Sequence, residues 1–457
     1  MGDFEWLGAI SFEDARQCAD IARLLEQASQ YLKQGELRSA LEAARSVLAR
    51  GGEGFAPYAE EVITDTLDAL ASQSEEVEDW KNALQWREEL VLREPSLLLP
   101  RLLLAEDFIM AENYHAAERE LMQLLRRCPH SIEGWAWRAR CAQRRADSLA
   151  QERTAQRTAV RQLIRFTRRG WQVLRKPVWL YYPSETVIRV TLEELYETTF
   201  AALAYSGRLD EARRVLAEAI AILGDRDNRL GSLRDSAVPS IQYHLDSTVL
   251  LSVIDHDVAR RLLELSVQCD MITNVVRNGD YEQAFVLLDT LSADVDQFLG
   301  GWRAWRERGL LARAAEAAAN AHDMQAEMRY IARWKRLSPS DEFPLFRWGE
   351  LMSGRDHKEA LRSFHRLLRR SEKWIEALIE VARLHYACRR FRLASRFAAR
   401  AWQTLPSPHW CYYPSEAVVR DRLQKLFNLT GDLAAANGSL EQAEYVRRQG
   451  EALLREL

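Results

Sequence analysis

The chain has little of what interrupts a helix: among 457 residues there are only 20 glycines and 12 prolines, both below ordinary usage. That scarcity excludes a loop-rich or many-turned β architecture and favours long helices. Cysteine is sparse too. Cys18, Cys128, Cys141, Cys269, Cys388 and Cys411 stand far apart with no CxxC pair, which speaks against a zinc site and for reduced thiols in a reducing compartment. No apolar run approaches the length needed to span a bilayer. The opening MGDFEWLGAISFEDARQ lacks a basic stretch followed by an apolar one, and no Ser or Thr follows Gly2 as a myristoylation signal requires. A cytoplasmic protein without membrane insertion is expected. Also missing are a glycine-rich phosphate loop, HExxH and GxSxG. The nine histidines are dispersed, and in Asp255-His256-Asp257 adjacent side chains on a helix would not face one another. The sequence therefore offers no catalytic residue, no metal site and no cofactor, and the chain is read as not an enzyme.

What is present is a duplication. Residues 161–189 read RQLIRFTRRGWQVLRKPVWLYYPSETVIR and residues 392–420 read RLASRFAARAWQTLPSPHWCYYPSEAVVR, identical at 16 of 29 positions with a constant offset of 231. Upstream, Ala40 aligns with Ala284 (offset 244), and Ala83 with Ala326 and Ala117 with Ala360 (offset 243). The first half therefore carries 12 extra residues, the difference between 243 and 231, placed between 140 and 161. The division that follows is a first half over 1–224, a connector over 225–262 with Gly231 and Pro239, and a second half over 263–457.

A finer spacing runs through both halves: a turn residue, an apolar residue, then Ala three positions on. Gly35, Leu37 and Ala40 form one instance; Gly207, Leu209 and Ala212, Gly279, Tyr281 and Ala284, and Gly438, Leu440 and Ala443 form others. The small residue permits close approach of two helices, and Pro95, Pro129 and Pro406 fall where a second helix would stop. The pattern resembles the tetratricopeptide repeat, a helix-turn-helix unit of about 34 residues. The resemblance implies an all-α fold, an α-solenoid of such repeats in two homologous halves, and a role in binding other molecules. Some members clamp acidic C-terminal peptides with Lys and Asn on their first helices. Here those positions hold Leu25, Ser29, Leu102 and Glu106, so that clamp is not implied.

The duplicated element holds residues that packing alone does not require. Arg153, Arg157, Arg161, Arg165 and Arg169 recur every four residues, which on a helix makes one slowly drifting row. The second copy gives Arg392, Arg396 and Arg400. An acidic block in the chain (Glu60, Glu61, Asp65, Asp68, Glu75, Glu76, Glu78, Asp79) could neutralise these rows, or an acidic partner could. Each row is followed by rings and a carboxylate: Trp171, Trp179, Tyr181, Tyr182 and Glu185, then Trp402, Trp410, Tyr412, Tyr413 and Glu416. These rings either cover a seam between helix pairs or form an open platform beside the arginines. Pro183 and Pro414 keep the preceding residue out of the helix, and Ser184 and Ser415 are expected to cap helices over 185–204 and 416–435. The functional expectation is a non-catalytic scaffold that docks protein partners with an acidic surface through the two Arg/Trp/Tyr elements. A nucleic-acid-binding repeat protein and a regulatory subunit of an enzyme complex are the alternatives. The isoelectric point near 6.2 counts against the former.

Overall fold

The computed structural model describes residues 6–7, 10–50, 53–224, 229–234, 241–243, 245–291 and 294–456. Among them are 23 helices and no strand; the only bridges join Ser131 to Val178 and Trp374 to His409. In order they are α1 (Phe12–Gln34), α2 (Leu37–Arg50), α3 (Ala56–Glu76), α4 (Trp80–Arg93), α5 (Leu99–Met110), α6 (Tyr114–Arg127), α7 (Ile132–Ser148) and α8 (Arg153–Val173). Next come α9 (Glu185–Tyr205), α10 (Leu209–Leu223), α11 (Arg229–Arg234), α12 (Thr248–Leu251), α13 (His256–Arg277), α14 (Tyr281–Thr290), α15 (Asp294–Leu299) and α16 (Trp302–Asn320). The series ends with α17 (Met324–Leu337), α18 (Glu342–Ser353), α19 (His357–Leu368), α20 (Ile375–Ala387), α21 (Phe391–Thr404), α22 (Glu416–Ala436) and α23 (Leu440–Glu456). No described helix is long and apolar enough to cross a membrane.

The repeat spacing dictates this series. Ala40, Ala83, Ala117, Ala212, Ala284, Ala360, Ala394 and Ala443 sit on second helices and are buried. A methyl group there lets two helix axes approach closely, and after Ala117, Ala212, Ala284 and Ala443 a Leu or Val one turn on fills the next interface. Most turns between partners hold a residue in the left-handed region. Gly35, Gly207, Gly279 and Gly438 supply it, as do Glu78, Glu112, His322 and Arg389 at φ of 56–59°. The latter four are why the repeat is degenerate as a sequence: the conformation is kept without glycine, at about 1–2 kcal/mol each. Aspartate or asparagine then caps the second helix, as when Asn113 accepts from the Ala116 N–H and Asp280 from the Gln283 N–H. These helix pairs establish the fold class, a helical-repeat α-solenoid.

The described chain divides into two compact units, Met1–Leu70 with Leu311–Leu457, and Ala71–Leu310. In the first unit α1 packs on α22 and α23, and the Trp6 indole N–H donates to Ser395 Oγ at 2.7 Å. In the second, α13 packs on α9 and α10. Pro239 and residues 225–228, 235–240 and 244 of the expected connector lie outside the described residues; its described part includes α11 and α12.

The 12 extra residues of the first copy become visible as helix. Helix α7 has 17 residues against 13 in α20, and α8 has 21 against 14 in α21; the turn between them is one residue longer. Arg153 and Arg157 stand on this extension.

Candidate interaction site

Each copy of the duplicated element is a long loop between two helices, fixed at four points. A buried carboxylate anchors its middle. Glu133 Oε1 on α7 accepts the Leu180 and Tyr181 N–H groups at 2.8 and 3.2 Å. Glu376 on α20 accepts the Cys411 N–H through Oε2 at 2.6 Å and the Tyr412 N–H through Oε1 at 3.1 Å. Burial pushes both carboxyls up to about 7, with the backbone hydrogen bonds opposing it. The isolated bridges lie beside these anchors.

The second point is the first tryptophan. Trp171 and Trp402 are buried and donate to the hydroxyls of Thr199 and Thr430 at 2.9 and 3.0 Å. The third is the cap: Ser184 and Ser415 accept from the Val187 and Val418 N–H groups, which starts α9 and α22 where the sequence places them. The fourth is a carboxylate from another helix pair. Asp270 on α13 accepts the Glu185 N–H at 2.8 Å, and Glu26 on α1 accepts the Glu416 N–H at 2.9 Å. The positive end of a helix favours an anion there. One turn further on, Thr273 meets the Tyr182 hydroxyl at 3.0 Å and Ser29 meets the Tyr413 hydroxyl at 2.6 Å.

The rings are therefore largely committed within their own units. Trp410 is buried against Phe55, at a centroid separation of 5.9 Å. Half-buried Trp179 donates to the Phe298 carbonyl at 2.9 Å. Tyr181 packs on the core of α5, α6 and α7, and Tyr182 lies 5.7 Å from the Trp305 ring. Tyr412 donates to Glu350 at 2.5 Å and Tyr413 meets Tyr58 edge-on. Glu185 pairs with Arg189 at 2.9 Å, and Glu416 with Arg420 at 2.8 Å. In the second copy the loop also covers a buried cation. Arg422 Nη2 meets Glu350 at 3.0 Å and Nη1 lies 3.8 Å from Glu380, with Phe346 and Tyr412 rings within 6 Å.

The arginines divide differently. Arg153, Arg157, Arg161, Arg165 and Arg168 line α8, are exposed, and have no carboxylate partner among the described residues. Spacings of four, four, four and three residues make them one stripe. Arg169, next to the stripe, is half-buried, bonds Gln172 at 3.3 Å and lies 6.0 Å from the Trp135 ring. In the second copy Arg396 is exposed without a carboxylate partner, Arg392 is exposed, and Arg400 pairs with Glu372 at 3.1 Å. Of the acidic block, Glu75 pairs with buried Arg87 at 2.9 Å.

Sequence reasoning missed the anchors. Ile-Glu stands at 132–133 and again at 375–376, an offset of 243, and this was the available signal. Asp270 aligns with Glu26 and Thr273 with Ser29 at offset 244; each pair keeps its chemistry but not its identity, which hides it from a search for identities. Among the described residues no group of three or more His, Cys, Asp or Glu could hold a metal.

No family model and no curated protein matches the chain. Among solved structures, similarity extends to the human IFIT1 dimer with PPP-AAAA, at 12% identity and TM-score 0.27, over 98% of this chain and 96% of that one. The APC/C hetero-tetramer Cut9-Hcn1 matches at 13% identity and TM-score 0.26, over 86% and 79%. Naa15/Naa10 bound to HypK-THB matches at 12% and 0.24, over 93% and 67%. What those proteins bind is theirs alone; the fold of this chain rests on its own helix pairs.

Proposed function

We propose that the protein is a non-catalytic scaffold whose α8 stripe docks an acidic face of a protein partner. The observation that carries this reading is the set of five exposed guanidinium groups, Arg153, Arg157, Arg161, Arg165 and Arg168, that lack a carboxylate partner among the described residues. Like charges at helical spacing cost a few tenths of a kcal/mol per adjacent pair. A stripe of this kind destabilises its own helix until an anion arrives. Over 15 residues at 1.5 Å rise it is about 23 Å long, which suits an acidic helix or extended acidic segment rather than a single small anion. Arg396 and Arg392 give the second copy a shorter counterpart, without the α8 extension.

A nucleic acid would also offer a row of anions. Sequence-tolerant nucleic-acid binding draws on open ring faces for base stacking, and Trp171, Trp402 and Trp410 are buried. That weighs for protein. The test is affinity capture with the wild type and an Arg157→Glu, Arg161→Glu, Arg165→Glu variant, at low and at high salt. The variant is expected to fold, because these side chains make no contact that folding requires, and to lose salt-sensitive partners. A folded variant that captures the same set at both salts refutes the stripe as the docking surface. Steep salt-dependent retardation of RNA or DNA by the wild type alone would move the reading to nucleic acid.

A further inference from the structure

A second cationic site lies in the other unit, built on α19 and α20 with Phe397 and Arg400 of the duplicated element on its far side. Helices α19, α20 and α21 line an open pocket of about 720 Å³. Lys358, Arg362, Arg366 and Arg369 descend one wall at spacings of four, four and three; Arg390 and Arg400 close the opposite side. Arg362 pairs with Glu359 at 3.1 Å and Arg400 with Glu372 at 3.1 Å. Lys358, Arg366, Arg369 and Arg390 have no carboxylate partner among the described residues, so one cavity holds at least four uncompensated positive charges. Its floor is three rings: the His385 ring stacks on Phe397 at 5.7 Å, and His365 lies 5.7 Å from Phe397 and 6.5 Å from His385. His385 is 5% exposed, and its Nδ1 is buried with no hydrogen-bond partner. An unmet polar atom in such a place costs about 1–3 kcal/mol, which a ligand would relieve.

The duplication supplies a control. At the aligned positions of the first copy, His365 is replaced by Met122, His385 by Ala142 and Arg366 by Gln123 (offset 243). The same helix packing is thus built without the imidazoles and with fewer cations. Packing does not ask for them.

We propose that this pocket binds a small soluble anion bearing clustered phosphates, with Arg366, Arg369 and Arg390 on its oxygens and His385 as a buried donor. Guanidinium forks match phosphate oxygens two at a time, and several converging forks favour several phosphates over a lone carboxylate. The volume is that of a small-molecule site, not of a macromolecular groove. Burial, and then Arg369 for His365 and His365 with Arg390 for His385, hold both imidazoles below their usual range. Lys358, Arg362, Arg366 and Arg400 face the same space from α19 and α21, with Glu372 the single opposing charge. A polyanion reverses that field, so binding takes up protons. Affinity should rise as the pH falls from about 7.5 to 6, by up to about tenfold per pH unit for each proton taken up.

The experiment is calorimetric titration of the full chain with sodium tripolyphosphate, ATP and inositol hexakisphosphate in parallel. At least one is expected to bind, and the three arms distinguish inorganic, nucleotide and inositol sources. An Arg366→Glu, Arg369→Glu variant should weaken that binding at least tenfold, while charge reversal on α8 leaves it unchanged. Should the reversed variant misfold, Arg366→Gln, Arg369→Gln replaces it. Titration in buffers of different ionisation enthalpy should show proton uptake that His385→Gln diminishes. If none of the three ligands binds, or if binding survives intact in the folded pocket variant, the proposal is overturned.

Discussion

Glutamine at the two buried anchors should behave unequally, although both anchors do the same job. Glu133 receives both loop N–H groups on one oxygen, Oε1, while Oε2 lies 3.4 Å from the Ser131 hydroxyl. An amide at position 133 keeps that oxygen and turns its NH2 toward a hydroxyl that can accept. Glu376 uses both oxygens, one per N–H, so an amide there must point NH2 at a backbone donor. The carboxyl of Glu133 rises from its ordinary 4.5 to about 7 on folding. Its contribution to stability is therefore complete below pH 4.5 and disappears as the pH climbs through 7, a loss of about 3 kcal/mol by pH 8. Glu133→Gln does not titrate. It should match the wild type near pH 4 and exceed it by about 3 kcal/mol at pH 8. Glu376→Gln escapes the same titration but leaves one buried N–H opposed, costing about 1–3 kcal/mol at every pH. It should trail Glu133→Gln throughout. Chemical denaturation across pH 4–8, followed by tryptophan fluorescence, reads both differences. If wild type and both variants share one pH slope, the anchors do not carry the titration and the account of the loop is wrong.

Two further outcomes follow from packing. Arg422→Ala removes the cation between Glu350 and Glu380 and leaves Glu350 to Arg347 and Glu380 to Arg383, so the first unit should lose the charged hydrogen bond at about 1.5–3 kcal/mol, measured as a fall in denaturation midpoint. Glycines facing the two loops should differ: a Cβ on Gly54 would come 1.7 Å from the Pro408 carbonyl oxygen, whereas at Gly300 the nearest atom, the Pro177 oxygen, is 3.7 Å away. Gly54→Ala must displace backbone and should cost about 3 kcal/mol or more; Gly300→Ala should cost about 1–2 kcal/mol, from its φ of +58° alone. Equal melting temperatures for the two would contradict this.

The helices were readable in the residues because period and punctuation agree: alanines at the crossing points, Pro95 and Pro129 beyond second helices, serine before each Glu of the duplicated motif. The caps at Ser184 and Ser415 follow from local chemistry alone, which is why their helices begin at the expected residues. What carries the loop is long-range and escaped notice. Glu26 and Asp270 lie 390 and 85 residues from the N–H groups they accept, and no spacing rule links such positions. The arginine row was visible as a periodicity, but its lack of a carboxylate partner among the described residues was not, because charge runs are commonly solvated or paired within their own chain and an acidic block stood ready to do so. The tryptophans illustrate the opposite difficulty. A ring that recurs beside arginines reads the same whether it faces solvent or a threonine hydroxyl.

Helices α1 and α22 pack together although 381 residues separate Gln34 from Glu416. At roughly 5–20 residues per second, a ribosome needs about 20–75 s to deliver the second after the first. Through that interval the nascent α1 has α2 but not α22 against its buried face. Maturation of this unit therefore waits on the synthesis of α22, and a chaperone that shields short apolar segments has a long window there.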